Sequence, residues 1–233
     1  MRDNQESNYG DLRYEKKFII TDLELSEIEH LIKLSPVIFH KIFYERRVNN
    51  IYMDSIDFEN YHENIAGISK RIKIRVRWYG NLFGPIKSPF LEIKTKEGEL
   101  GKKLSFPLKP FILDKNFSRG LLMRVFRKSD LPKWLLEKLK LFNPTLLNSY
   151  KREYFIHFDK KHRITLDKDF VFFRIKNINN SFKEKISDKE TYIFELKYSF
   201  KDSKKAEQII QHFPFRLTAS SKYVFGIKLL DCS

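Results

Sequence analysis

The sequence predicts an α+β fold in which an antiparallel sheet closes into a barrel, with charged faces turned inward and helices packed outside. Two observations lead there: cations and apolar residues alternate along several strands, and the later strands follow one another at hairpin spacing. Composition supplies the third. The chain has 233 residues, with 45 Lys and Arg against 30 Asp and Glu, a formal net charge of +15. Hydrophobic residues make up 42% and aromatics 15%, with only 8 Gly and 8 Pro, which excludes collagen-like, linker and low-complexity classes. One cysteine, Cys232, excludes an internal disulfide framework and a cysteine zinc site. A chain this basic expects a polyanion.

The elements fall in the following order. Residues 1–12 read as a polar leader without the hydrophobic region of a signal peptide. Residues 13–21 alternate as a strand, with Glu15 and Lys17 on one face and Tyr14, Lys16 and Phe18 on the other. Asp22 is placed to cap a helix to about residue 34, where Leu25, Ile28, Leu31 and Ile32 recur at helical spacing. Residues 48–55 predict a strand and 58–67 a short helix or turn. Residues 70–79 alternate strictly. A Gly- and Pro-rich turn over 80–89 leads into a strand at 90–96, and Glu97-Gly98-Glu99 turns the chain into 100–108. Residues 117–141 read as helical, with Pro132 opening the second part. Strands at 149–158, 163–166 and 170–176 precede a polar loop at 177–190, a strand at 191–199 and a helix at 203–212. No linker or internal repeat interrupts the pattern, so one domain is expected over 13–230. No stretch reaches the roughly 18 apolar residues of a membrane span, and a cytoplasmic protein is expected.

The charge pattern is sharpest at Arg71-Ile72-Lys73-Ile74-Arg75-Val76-Arg77-Trp78. Alternation puts the four cations on one face and the four apolar residues on the other. Neighbours on that face lie about 7 Å apart, where two like charges repel by roughly 2.4 kcal/mol at an effective dielectric near 20, or about 0.6 kcal/mol in water. Such a row is costly unless it is solvated or faces an anion. Three further strands each place a glutamate and a lysine two residues apart on one face: Glu15 and Lys17, Glu92 and Lys94, Glu195 and Lys197. Arg152 and Arg163 lie on two more. With these faces inward, the cations line a wet tunnel and converge on phosphate oxygens, while the few glutamates are free to hold a divalent metal.

The ordered set Arg13-Tyr14-Glu15-x-Lys17-Phe18, Ile51-Tyr52-x-Asp54, Lys73-Ile74-Arg75-x-Arg77-Trp78-Tyr79-Gly80, Glu92-x-Lys94-Thr95, Tyr150-x-Arg152, Arg163-Ile164-Thr165-Leu166-Asp167, Glu195-x-Lys197 and Ser221-Lys222-Tyr223 resembles the VTC domain. That domain is the polyphosphate-polymerase branch of the CYTH-like triphosphate tunnel metalloenzymes. The resemblance implies a closed triphosphate tunnel that binds ATP and polyphosphate with Mn²⁺ or Mg²⁺ and transfers the γ-phosphate of ATP to a polyphosphate chain. Inorganic or nucleoside triphosphate hydrolysis, or polyphosphate binding without turnover, are the alternatives. Carried over by motif, Arg75, Arg77, Lys94, Arg152, Arg163, Lys197 and Lys222 bind phosphate, with Lys17 at the family's basic position on the first strand. Arg71 and Lys73 join them from the cation row. Lys17, Arg75, Arg77 and Lys197 are the candidates nearest the reaction. Glu195 is the implied metal ligand; Glu15 and Glu92 are added because they face the same way. Two departures stand out. Arg13 replaces the first Glu of the Glu-x-Glu-x-Lys motif, and Asn64, in Tyr61-His62-Glu63-Asn64, stands where yeast-type polymerase domains place a basic residue. Because eukaryotic polymerases work beside membrane-spanning segments, a separate membrane partner is an implied possibility.

Nucleic acid is the rival polyanion, but the aromatics mostly alternate with the cations and so fall on the opposite face, as Trp78 does against Arg77. No P-loop is present. The six histidines lack H-E-x-x-H spacing, and His157 and His162, which flank a turn, are expected to be solvated. Trp134, Leu135 and Leu139, at helical spacing, are expected in the core.

Overall fold

A computed structural model describes residues 13–97, 100–176, 180–218 and 221–231. The leader at 1–12, the centre of the 97–99 turn, Ser220 and Cys232 lie outside the described residues. The chain begins with β1 (Arg13–Ile20), α1 (Leu25–Leu34), β2 (Phe39–Lys41), β3 (Arg46–Asp54) and α2 (Glu59–Ile65). The middle comprises β4 (Arg71–Tyr79), β5 (Gly84–Ile86), β6 (Phe90–Glu97), β7 (Leu100–Pro107), β8 (Phe111–Leu113), α3 (Arg119–Lys128) and α4 (Lys133–Leu139). The last part holds β9 (Asn143–His157), β10 (Arg163–Arg174), β11 (Lys185–Asp188), β12 (Tyr192–Ser199), α5 (Ser203–Gln211) and α6 (Lys222–Asp231).

One antiparallel sheet runs in the order β1-β12-β10-β9-β3-β4-β6-β7, with β11 beside β10 and β2 beside β9. It curls strongly but does not close: β1 and β7 are its two edges, so the expected closed barrel is a half-barrel. The reason lies at the outer edge of β1. There the Thr218 N–H donates to the Lys17 carbonyl at 2.9 Å, and the Ile19 N–H donates to Thr218 Oγ1 at 3.0 Å. The segment before α6 takes the edge groups that a closing strand would need. Side chains span the gap instead, with Lys94 of β6 reaching Glu15 of β1 at 2.7 Å.

The convex face of β4 and β6 carries Ile74, Val76, Trp78, Leu91 and Ile93, all buried, under α3 and α4. Ser118 caps α3 by accepting the Leu121 N–H at 3.2 Å. Leu135 and Leu139 of α4 are buried as expected, whereas Trp134 is 55% exposed and outside the core, because consecutive residues on a helix face different ways. A second cluster joins Ile28 and Ile32 of α1 and Ala206 and Ile209 of α5 to Phe18, Ile164 and Phe194. Helix α1 starts at Leu25 rather than after Asp22, because the Glu24 N–H donates to Glu27 Oε2 at 2.7 Å in a capping box.

Several strands differ from expectation: β2, β5 and β8 are short additions, with β5 inside the expected 80–89 turn. Strand β9 begins at Asn143, since Asn148 and Ser149 are buried and bonded to Asn50 and Asn49 at 2.8 and 2.7 Å. The two strands expected at 163–166 and 170–176 are one, β10, with a bulge between Lys168 and Val171 and Asp169 at φ +54°. Strand β11 lies within the expected 177–190 loop. The C-terminal segment forms α6, which packs on the concave side and so departs from the expectation that helices lie outside. Tyr223 stacks on Tyr52 at 5.3 Å, and Ile227 and Leu230 join Tyr150, Phe170 and Phe172. Gly226 permits this: a Cβ there would stand 2.4 Å from Phe172 Cδ1 and 2.8 Å from Leu146 Cδ2.

Candidate functional site

Strand parity brings the expected charges to the concave face. Register places Arg75 beside Glu92 and Tyr52, Lys73 beside Lys94, Lys17 beside Glu195 and Arg152 beside Asp167. Lys17, Lys73, Arg75, Arg77, Lys94, Lys103, Arg152, Lys197 and Lys222 meet there with Glu15, Glu92, Asp167 and Glu195, nine cationic side chains to four carboxylates.

The carboxylates sit in two groups. Glu195 contacts Lys197 at 2.8 Å, Lys222 at 3.2 Å, Arg152 at 3.4 Å and Lys17 at 3.6 Å. Burial alone would raise its pKa, but these cations, led by Lys197, outweigh burial and hold the carboxyl well below the ordinary range. Lys222, the first residue of α6, also touches Asp167 at 2.6 Å, and Arg152 donates to Asp167 at 2.6 Å. Lys17 bridges Glu195 to Glu15, 3.2 Å away. Glu92 belongs to the β4 wall. Arg75 reaches it at 2.7 Å, Lys103 at 2.5 Å and Arg77 at 3.5 Å, and against its burial these cations, led by Arg75, hold it down to about 2.

Each expected phosphate ligand has a definite environment. Arg77 is buried, donating to Asn50 Oδ1 at 2.8 Å and the Tyr150 hydroxyl at 3.2 Å. Lys73 has no carboxylate among its described contacts; it donates to Ser221 Oγ at 3.0 Å. Burial first, then Lys17, Arg71, Lys94 and Arg75, pull its pKa down to about 6, so it is largely neutral at pH 7 without an anion. Burial also lowers Lys197, with Glu195 opposing. Arg71 is half-buried at the open end of β4. Arg163 shares the face but is exposed at the rim, opposite Lys197. The side-chain amide nitrogen of Asn64 is buried without a hydrogen-bond partner.

Sequence reasoning missed several members. Asp167 was quoted within a motif without a role, yet it is fully buried between Arg152 and Lys222. Its signal was its place two residues beyond Thr165 on an inward face. Lys103, given no role from the sequence, lies on β7 opposite Lys94. Asp54 serves as a joint rather than a ligand. Its Oδ1 accepts the Asn60 N–H at 2.9 Å, and its Oδ2 accepts the Tyr61 N–H at 3.1 Å and the Tyr223 hydroxyl at 2.6 Å, tying α2 to α6.

Glu195 offers hard oxygen donors, which four cations contact. Mg²⁺ and Mn²⁺ use one or two carboxylates together with phosphate oxygens and water. Glu195 shares one lysine with Asp167 and another with Glu15, whereas Glu92 shares its contacts with the arginines of β4. Among the described residues, the one group of three potential ligand atoms within 4.8 Å of one another lies elsewhere, at His157, Asp159 and His162. Both histidines are 1% exposed, which corrects the expectation that they are solvated; both contact Asp159.

Three solved structures share the fold. A protein from Pyrococcus horikoshii is 14% identical, with a TM-score of 0.50 over 94% of this chain and 99% of its own. A candidate adenylate cyclase from Vibrio parahaemolyticus is 10% identical, with a TM-score of 0.51 over 95% and 98%. A candidate adenylyl cyclase from Hippeastrum, described as having a dominant triphosphatase activity, is 12% identical, with a TM-score of 0.51 over 93% and 96%. No protein with a curated description matches the chain. The family model of the VTC domain matches residues 12–231.

Proposed function

The chain belongs to the VTC domain family, of CYTH-like tunnel fold, and from that premise we propose that it is a metal-dependent phosphotransferase that extends polyphosphate with the γ-phosphate of ATP. The observation that carries this reading is the surplus of basic side chains on one concave face, nine Lys and Arg against four carboxylates. That surplus suits a linear polyanion better than a single-stranded nucleic acid, because the rings among the cations, Tyr52 and Tyr150, are buried and Trp78 lies on the convex side.

In the proposed reaction a terminal oxygen of the polyphosphate chain bonds to the γ-phosphorus, and the bond from that phosphorus to the β–γ bridging oxygen breaks, releasing ADP. The attacking oxygen is already ionised near neutral pH, so positioning and charge neutralisation supply the catalysis. Arg75, Arg77, Lys17 and Lys197 hold the two anionic reactants in line and reduce their repulsion. Arg71, Lys73, Lys94, Arg152 and Lys222 carry the rest of the chain, and Arg163 receives it at the rim. Glu195 would hold Mn²⁺ or Mg²⁺ together with phosphate oxygens and water, and the ion would neutralise charge on those oxygens when bound. Glu92 orients Arg75 and Arg77.

The test uses γ-labelled ATP, Mn²⁺ or Mg²⁺ and a short polyphosphate primer, with products resolved by chain length. Labelled polymer that grows with time is the expected result. Labelled free phosphate alone would reassign the site as a triphosphatase. Absence of turnover, with tripolyphosphate still raising the melting temperature, would make it a binding module.

A further inference from the structure

We propose that the β9–β10 hairpin carries a second metal site, separate from the tunnel, for a first-row transition-metal dication of the zinc class held by His157, Asp159 and His162. The hairpin is closed by the His157 N–H donating to the His162 carbonyl at 2.9 Å, and the Lys160 N–H to the His157 carbonyl at 2.9 Å. Asp159 is fixed by the turn itself, its Oδ1 accepting the N–H groups of Lys161 at 2.8 Å and His162 at 3.2 Å. Its side chain therefore has one settled direction, towards the two imidazoles.

The ring nitrogens carry the argument. Nε2 of His162 lies 3.2 Å from the Asp202 carbonyl oxygen, which only accepts, so Nε2 holds the proton. Nδ1 of neutral His162 is then a bare lone pair, 2.8 Å from Asp159 Oδ2. Nδ1 of His157 accepts the Asp159 N–H at 3.3 Å, so it too presents a lone pair, 3.0 Å from Asp159 Oδ1. Two nitrogen lone pairs and a carboxylate converge within 4.8 Å. Without a metal, a proton on each Nδ1 has to relieve these two contacts; one dication among the three relieves both at once.

The surroundings are those of a built site. Both histidines are 1% exposed, with the Phe158 ring 4.2 Å and the Phe39 ring 5.4 Å from His157, and Tyr198 stacked 6.3 Å from His162. The carbonyl behind His162 is the kind of support that orients metal-binding imidazoles and sets their tautomer. Two imidazoles and a carboxylate select zinc-like ions over Mg²⁺ and Ca²⁺, which prefer all-oxygen shells. Three protein ligands leave a fourth position for water. A metal here would join the hairpin, through His162 and Asp202, to the start of α5. It would also steady Arg163, the next residue, which faces Lys197 at the tunnel rim.

The test titrates Co²⁺ into the chelator-stripped full chain in phosphate-free buffer and follows visible absorption, then displaces Co²⁺ with Zn²⁺. One equivalent with the intense bands of low-coordinate cobalt is expected. Asp159→Asn and His162→Gln should each weaken binding by about 100-fold, while Glu195→Gln leaves the spectrum intact. Absence of the bands at stoichiometric cobalt overturns the proposal. Bands that survive both hairpin substitutions, or that Glu195→Gln removes, also overturn it. Should a hairpin variant fail to fold, ¹⁵N shifts of the His157 and His162 Nδ1 atoms in the unmodified chain decide: a zinc-dependent change at both is expected, and no change sinks the idea.

Discussion

The α6 end of the concave face and the β4–β6–β7 wall are made from the same residue types and behave differently. At the α6 end, Arg152, Asp167, Glu195 and Lys222 are each at most 8% exposed and paired to one another. Along the wall, Lys94 and Lys103 have side chains 44% and 52% exposed, and Lys73 has no carboxylate among its described contacts. The buried network is structural as well as electrostatic, since each charge depends on its partner. The wall carries more basic side chains than its partners Glu92 and Glu15 can neutralise. The two carboxylate groups divide accordingly: Asp167 and Glu195 hold the sealed end together, and Glu92 keeps two arginines aligned at the open one.

The largest effect should come from breaking the sealed end. Asp167→Asn leaves Arg152 and Lys222 without their closest anion, and the expected loss is about 3–5 kcal/mol, roughly 10 °C in melting temperature. Calorimetric melting checks this, and a loss under 1 kcal/mol would mean that the end is wet rather than sealed.

Gly226→Ala comes next. The added methyl meets Phe172 and Leu146, and a cost of about 1–3 kcal/mol is expected, with α6 displaced from its seat. The readout beyond stability is tripolyphosphate affinity, which should fall because Lys222 moves with α6. Unchanged affinity would separate the helix from the site.

Lys73 sharpens the comparison from the other side. Its pKa in the folded chain, about 6, lies below the unfolded value of 10.5, so the unfolded state binds more protons between them. This residue therefore makes stability rise with pH from about 6 towards 10.5, and its full cost is present below pH 6. Lys73→Met should remove that slope in phosphate-free buffer. When tripolyphosphate binds at pH 8, the ammonium form returns, so proton uptake is expected. Binding heats measured in buffers of different ionisation enthalpy test this, and heats independent of buffer would contradict it.

The smallest effect belongs to Lys103. Its half-exposed pair with Glu92 should contribute under about 1 kcal/mol to stability, and Lys103→Ala should weaken tripolyphosphate binding only several-fold, less at high salt. A collapse of stability would move Lys103 into the structural network.

Much of this was legible in the chain. Strict alternation at Arg71–Tyr79 announced both the buried convex row and the cationic concave row, because a strand has only two faces. The repeated Glu-x-Lys spacing announced the carboxylates among the cations. Less legible were the polar stretches 143–149 and 167–169, whose side chains look like loop residues until a neighbouring strand supplies their partners. The histidines misled for the same reason. Nothing in the spacing of His157 and His162 tells that Asp159 turns back between them and that Asp202 arrives from 40 residues away.

By itself the sequence determined which faces are charged, which are apolar and that cations outnumber carboxylates, because alternation and net charge are local properties that any fold must respect. Only the tertiary structure decided that the sheet stays open. The edge groups of Lys17 and Ile19 are claimed by Thr218, a residue about 200 positions away, and hydrogen-bond competition at that range leaves no trace in a strand pattern. It also decided which cations are neutralised and which are free, since a charge's environment is set by the partners that distant strands and α6 bring within 4 Å.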